Sequence, residues 1–395
     1  MAAGITVLFA SSGCAVWDDL EEHERQEVDA ESFYVVPDPL PTGEPGDVIR
    51  SLAIETAPAG SRAWRVLYHS RDLAGDDIAV SGTVVVPTRD APDGGWPVIA
   101  WAHPTTGAVA RCGPSSGFAP LDLIEGMDDL LEDGFAIAAT DYPGLGAPGA
   151  SSYLLGEVEG KAVLDSVRAA RALDGVDLSA DVSFWGHSQG GQAALFAAQL
   201  AADYAPELRP VTAAVAAPAA DLASLLDADI GDVSGVTIAA YAFTAYQAAY
   251  APTHPGLALA DILTPAAAEA APKMAQLCLF GENSELHALA GPLVGGFLAA
   301  DPATTAPWSR FLAENTPGAS SFGVPVLVLQ GGADALVRPT STADFVSRMC
   351  ADGQRVALAE YPTATHATIV IQSLPDVRAW FAAAATGATS RQPCA

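Results

Sequence analysis

Short apolar runs and helical periodicities alternate along most of this chain. Residues 97–102, 135–140, 182–185, 211–217, 324–329 and 356–361 are continuous or near-continuous apolar stretches of strand length. Between and after them the spacing predicts helices at 121–132, 157–173, 192–200, 341–350 and 374–384. Strands apolar on both faces, each followed by a helix, imply a mostly parallel sheet covered on both sides, an α/β architecture. Upstream, 65–70 and 78–87 flank Gly75-Asp76-Asp77 and predict a β-hairpin at the edge of that sheet.

The alternation breaks once. From Pro218 to about Gly318 no clear strand is visible, and the chain is Ala-rich and helical with Pro and Gly interruptions. An insertion of that size between two parallel strands predicts a helical cap over the strands' C-terminal ends, where such sheets place their sites. The expected organisation is a leader and tether at 1–31 and a core at 32–217, then a cap at 218–317 and the rest of the core at 318–395.

The stretch Asp181-Val-Ser-Phe-Trp-Gly-His-Ser-Gln-Gly-Gly191 carries the sharpest chemical signal. Strand, G-x-S-x-G turn and Ala-rich helix follow one another as a nucleophile elbow requires. Small residues on both sides of Ser188 tolerate a strained turn, and the helix N-terminus offers N–H groups to a developing oxyanion. Gly113-Pro114-Ser115-Ser116-Gly117 fits the same pattern but follows no strand and opens no helix, so Ser115 reads as a turn serine.

A serine nucleophile needs a base, and the base needs an acid, here in the chain order Ser, Asp or Glu, His. Three histidines follow Ser188: His254, His287 and His366. Only His366 stands just past a predicted strand, and Asp334 follows the preceding strand after two glycines. Asp344, Asp352 and Glu360 do not stand in a loop after a strand. His187, beside the serine, is expected to leave the turn in another direction. For the oxyanion hole the N–H of Gln189 is one donor. Pro104 has no N–H to give, so Thr105 is the other. His103 reads as a loop brace, and Tyr142, in Asp141-Tyr142-Pro143-Gly144-Leu145-Gly146, as a wall of the pocket; both are weaker candidates for touching substrate.

Composition narrows the setting. Half of the 395 residues are apolar, and the formal net charge is −29 with only two lysines, Lys161 and Lys273. Such a surface repels nucleic acid and anionic membranes. No Cys/His pair or acidic cluster has metal-ligand spacing, so neither a metal nor another cofactor is expected. Residues 1–14 resemble the end of a bacterial export signal, with Cys14 a candidate lipid anchor, and 18–31 read as a solvated tether. The expected location is therefore secreted, or anchored outside the cytoplasm. Removing Cys14 leaves Cys112, Cys278, Cys350 and Cys394, an even set suggesting two disulfides with three possible connectivities.

Taken together, Ala102-His103-Pro104-Thr105-Thr106-Gly107, the Thr140–Gly146 turn, Gly186-His187-Ser188-Gln189-Gly190-Gly191, Gly331-Gly332-Ala333-Asp334 and Thr365-His366 resemble the α/β-hydrolase superfamily and, within it, the secretory lipase family. The resemblance covers most of the chain from about residue 32. It implies carboxylic-ester hydrolysis through a Ser188–His366–Asp334 triad, a helical lid, and Cys112–Cys278 and Cys350–Cys394 bridges. Pro104 departs from the glycine usual in the family. A lipid or small-molecule ester is the expected partner, with lipid-interface contact through the cap. Residues 236–250 and 291–298 would either line an acyl channel or pack as apolar cap faces. The competing expectations are a serine peptidase or amidase on the same fold, and a non-catalytic hydrolase-like binding protein.

Overall fold

A computed structural model describes residues 32–117, 119–388, 391 and 394. The expected leader at 1–31, including Cys14, lies outside the described residues. Among the described residues nine strands form one sheet: β1 (Val48–Ile54), β2 (Ser61–Arg71), β3 (Asp77–Pro87), β4 (Trp96–Ala102), β5 (Ala136–Thr140), β6 (Leu178–His187), β7 (Arg209–Ala216), β8 (Val326–Gly331) and β9 (Val356–Tyr361). Their order is β1-β2-β3-β5-β4-β6-β7-β8-β9. The first three and the β3–β5 pair are antiparallel, and every pair from β5 to β9 is parallel.

Side-chain alternation divides the core into two layers. Val98, Ala100, Val182 and Phe184 face α2 (Gly156–Arg171) and α3 (Gln189–Tyr204) on one side. Ile99, Trp101, Trp185, Leu327 and Leu329 face α10 (Ile369–Ala385), through Trp380 and Phe381, on the other. Each of these fully buried large side chains contributes on the order of 2 kcal/mol of apolar burial.

The hairpin exists but is not the sheet edge. β1 pairs outside β2 in antiparallel register; its run Val-Ile-Arg-Ser-Leu-Ala-Ile mixes charge with apolar residues, as a half-exposed edge strand must. The helix expected at 121–132 forms only as α1 (Met127–Glu132), because Gly126 turns into the left-handed region at φ 83°. Ahead of it, the carbonyls of Leu123 and Glu125 accept from the Trp101 and Trp185 indole N–H groups instead of from a helix. The last helix begins earlier than expected, at Ile369, and runs through Pro375. The carbonyl that Pro375 cannot serve belongs to Ile371, a residue that is 75% exposed.

Between β7 and β8 lie α4 (Leu222–Asp229), α5 (Val233–Tyr250), α6 (Pro265–Met274), α7 (Asn283–Ala290) and α8 (Trp308–Glu314). They gather round α5, which is apolar on all sides and buries Val236, Tyr241, Phe243 and Tyr246. Cys112–Cys278 joins these helices to the loop after β4, and Cys350–Cys394 pins the C-terminal end to α9 (Pro339–Ala351). Among the described residues no helix is long and apolar enough to cross a membrane.

Candidate active site

The parallel strands end in register: Ala102 lies beside Gly186, His187 beside Ala216, and Gly331 beside Tyr361. Their loops therefore meet along one edge of the sheet. At the end of β6, Ser188 adopts φ 58°, ψ −117°, a conformation costly for a residue with a side chain. Four backbone hydrogen bonds hold it: its N–H donates to Ala216 O (2.9 Å), and its carbonyl accepts from Gly191 N (2.9 Å), Ala219 N (3.0 Å) and Gln192 N (3.3 Å). The flanking glycines are steric necessities. A Cβ at Gly190 would stand 1.8 Å from the Ala102 carbonyl, and one at Gly186 would stand 2.1 Å from that of Gly190.

Asp334 and His366 arrive from the loops after β8 and β9, which touch: a Cβ at Gly331 would lie 2.4 Å from Ala364 O. Asp334 is buried, and its Oδ1 accepts from the Leu336 and Val337 N–H groups at 2.9 and 2.8 Å. Its Oδ2 lies 2.8 Å from His366 Nδ1. Because a carboxylate only accepts, the ring proton sits on Nδ1, and Nε2 is free to accept from Ser188 Oγ at 2.9 Å. The row Ser188–His366–Asp334 can move a proton from hydroxyl to imidazole while the carboxylate holds the ring.

His254 and His287 do not reach this row; His254 contacts Thr253, Tyr250 and Phe311, and His287 is an exposed residue of α7. Ser115 lies in a short 3-10 turn, buried against Asp141 and Tyr34. His187 does more than the sequence suggested. Its ring packs 5.0 Å from that of His366, its Nε2 lies 3.1 Å from the His366 carbonyl, and its Nδ1 lies 3.0 Å from Glu125. Nothing local in the sequence points to Glu125, which arrives from the irregular segment before α1.

Thr105 and Gln189 both border the cavity above Ser188. Neither backbone N–H has an acceptor among the described residues. The Thr105 hydroxyl lies 2.8 Å from the Tyr153 hydroxyl, and Gln189 Nε2 donates to Glu159 Oε1 at 2.7 Å. Tyr142 and His103, by contrast, lie outside the cavity lining. Tyr142 donates to the His103 carbonyl at 3.0 Å, and the two rings pack 4.4 Å apart, so they fasten the loops after β4 and β5 together. Burial pushes the His103 imidazole below its usual range, against the opposing pull of a hydrogen bond to the Pro104 carbonyl.

The cavity and its mouth together hold about 700 Å³ of empty space, part of it open solvent. Its walls are mainly aliphatic and aromatic: Leu222, Leu226, Ile238, Phe243 and Tyr246 from α4 and α5, with Leu336 and Val337 from the acid loop. The 236–250 stretch thus lines it, whereas 291–298 does not; Leu298 instead bridges to Leu263. One carboxyl reaches the lining. Burial raises Asp229 to about 6, an effect that its 3.1 Å pairing with Arg338 opposes.

The chain matches the secretory lipase family over residues 123–392. It belongs to that family. Among curated relatives it is similar to Lipase 10 of Candida albicans, 29% identical over 224 residues, 51% of this chain and 47% of the relative. The chain thus spans about half the length of that lipase. It is 27% identical to a protein of Mycobacterium tuberculosis named a probable inactive lipase, covering 88% of this chain and 80% of the relative. It is 25% identical to Lipase A of Arthroderma benhamiae, covering 92% and 80%. Among solved structures, Candida antarctica lipase A superposes with a TM-score of 0.76 at 20% identity, covering 92% of this chain and 87% of that one. The rice cell wall degrading esterase LipA of Xanthomonas oryzae gives 0.71 at 20%, covering 85% and 97%. At that identity the structural likeness carries the fold alone, an α/β fold with a mixed, mostly parallel sheet.

Proposed function

We propose that this protein is an exported carboxylic-ester hydrolase that works through an acyl-enzyme. Ser188 attacks the acyl carbonyl, and His366 takes the hydroxyl proton and returns it to the leaving alcohol. Asp334 steadies the imidazolium meanwhile. The Gln189 and Thr105 N–H groups receive the oxyanion. Water, deprotonated by the same imidazole, then releases the acid. The helices between β7 and β8 act as the cap, and the aliphatic cavity beneath them takes the acyl chain. The observation that carries the reading is the continuous Ser188–His366–Asp334 hydrogen-bonded row opening into that cavity. Two disulfides and membership in a secretory family support a location outside the cytoplasm.

The test is an acyl-length series of nitrophenyl esters beside aminoacyl anilides, with fluorophosphonate labelling of wild type and Ser188→Ala. Ester turnover and labelling that both vanish in Ser188→Ala are the expected result. Cleavage of anilides alone, or labelling that survives the substitution, overturns the assignment.

A further inference from the structure

Beneath the nucleophile turn sits an acid with no counter-ion among the described residues. Glu159, in the first turn of α2, is wholly buried. Its Oε1 accepts from Gln189 Nε2 at 2.7 Å and from the Leu154 N–H at 3.1 Å, while its Oε2 has no partner among the described residues. Both amino acids it holds line the cavity. Gln189 directly follows Ser188. Leu154 stands in the left-handed region at φ 55°, a conformation a branched side chain resists. The Leu154 carbonyl is held in turn by Gln192 Nε2 at 3.2 Å and by the Tyr246 hydroxyl of α5 at 3.0 Å.

We propose that Glu159 is a positioning residue for ester cleavage, holding Gln189 at the oxyanion site and the strained Leu154 in the acyl wall through one carboxyl oxygen. The proposal rests on Ser188 being the nucleophile. Two backbone-adjacent elements converge on that single oxygen: the start of the nucleophile helix and the loop before α2. Removing it would leave a buried side-chain amide donor and a buried backbone donor unpaired, which a closed interior does not tolerate. The site relaxes instead, and both cavity walls move with it.

The geometry also fixes the chemical form of the acid. An ionised carboxylate with one bare oxygen in an uncharged interior is unfavourable, and burial drives Glu159 well above the usual carboxylate range. A protonated Oε2 supplies a donor to a floor short of them, since Gln189 Oε1 and Gln192 Oε1 are buried and also lack partners among the described residues. A glutamine at 159 offers the same pair, one acceptor and one donor.

The experiment compares Glu159→Gln with Glu159→Met, which keeps the volume and removes both hydrogen bonds. Turnover of a short nitrophenyl ester is normalised to sites titrated with a fluorophosphonate, so misfolded protein does not count. Glu159→Gln is expected to keep kcat within about threefold of wild type from pH 6 to 9. Glu159→Met is expected to lose about 10–100-fold in kcat, with a much smaller change in KM. A second readout needs no turnover: the infrared carbonyl stretch of a protonated carboxyl, present in wild type at pH 8 and missing from Glu159→Gln. Per-site kcat of Glu159→Met within twofold of wild type overturns the positioning role. Equal losses in both variants, or no band lost in Glu159→Gln, overturn the neutral acid. A wild-type protein that neither labels nor turns over any ester overturns this inference together with the hydrolase reading, whereas the other failures leave wild type active.

Discussion

Replacing Asp334 with Asn changes one atom and should stop the reaction through the tautomer of His366. The two oxygens of Asp334 are not equivalent. Oδ1 accepts from two backbone N–H groups, those of Leu336 and Val337, and Oδ2 faces His366 Nδ1. An asparagine side chain therefore keeps its carbonyl oxygen on the two N–H donors and turns its amide nitrogen toward the ring. The reversed orientation would set an NH2 against two donors in a buried site and forfeit both hydrogen bonds, at about 1–3 kcal/mol each. Facing an N–H, Nδ1 must accept, so the ring proton moves to Nε2, the atom 2.9 Å from Ser188 Oγ. That atom can no longer take the serine proton. The expected loss is about 10⁴-fold in kcat, or roughly 5.5 kcal/mol of transition-state stabilisation. The backbone bonds to residue 334 survive, so the thermal midpoint should stay close to that of wild type. The assay is steady-state hydrolysis of a nitrophenyl ester beside a thermal melt of the same preparation. A folded Asp334→Asn protein retaining more than a tenth of wild-type kcat would refute the argument that this carboxylate sets the tautomer.

Two further outcomes follow from the fold. Cys112–Cys278 closes a loop of 166 residues and Cys350–Cys394 one of 44. Opening them by Cys→Ser pairs should therefore cost up to about 5 and about 4 kcal/mol in a urea titration; a smaller loss from the longer loop would contradict the chain-entropy account. Asp229 is held up at about 6 in the folded protein, above an unfolded carboxyl near 3.8, so folding retains its proton. Its contribution is present at low pH and is lost as pH rises from about 4 to about 6. Relative to Asp229→Asn, wild type should thus gain about 1–2 kcal/mol, allowing for solvent screening, on going from pH 7 to pH 4.5. A stability gap independent of pH in urea titrations would show that Asp229 ionises freely in the fold.

Much of the architecture is readable from local pattern because strand and helix periods are properties of consecutive residues. The apolar run at 356–361 coincides with β9, and the strand–turn–helix order around Ser188 with β6 and α3. Where local pattern failed, a distant partner had taken over. Two indoles claim the carbonyls of 123 and 125, and β1 owes its existence to β2.

Sequence alone thus determined the α/β alternation, the interruption between β7 and β8, and the order in which a serine, an acid and a histidine reach strand ends. Only the folded chain decided that those ends lie side by side and that Tyr153, Glu159 and His187 stand behind them. Glu157 and Glu159 state the difference most plainly. Identical in type and two residues apart, they fall on opposite faces of one helix; the period separates the faces, but only the fold shows that Glu157 pairs with Lys161 while Glu159 is sealed beneath Gln189. A lone polar residue has no period, and the free energy of burying it depends on which neighbours from elsewhere in the chain meet it.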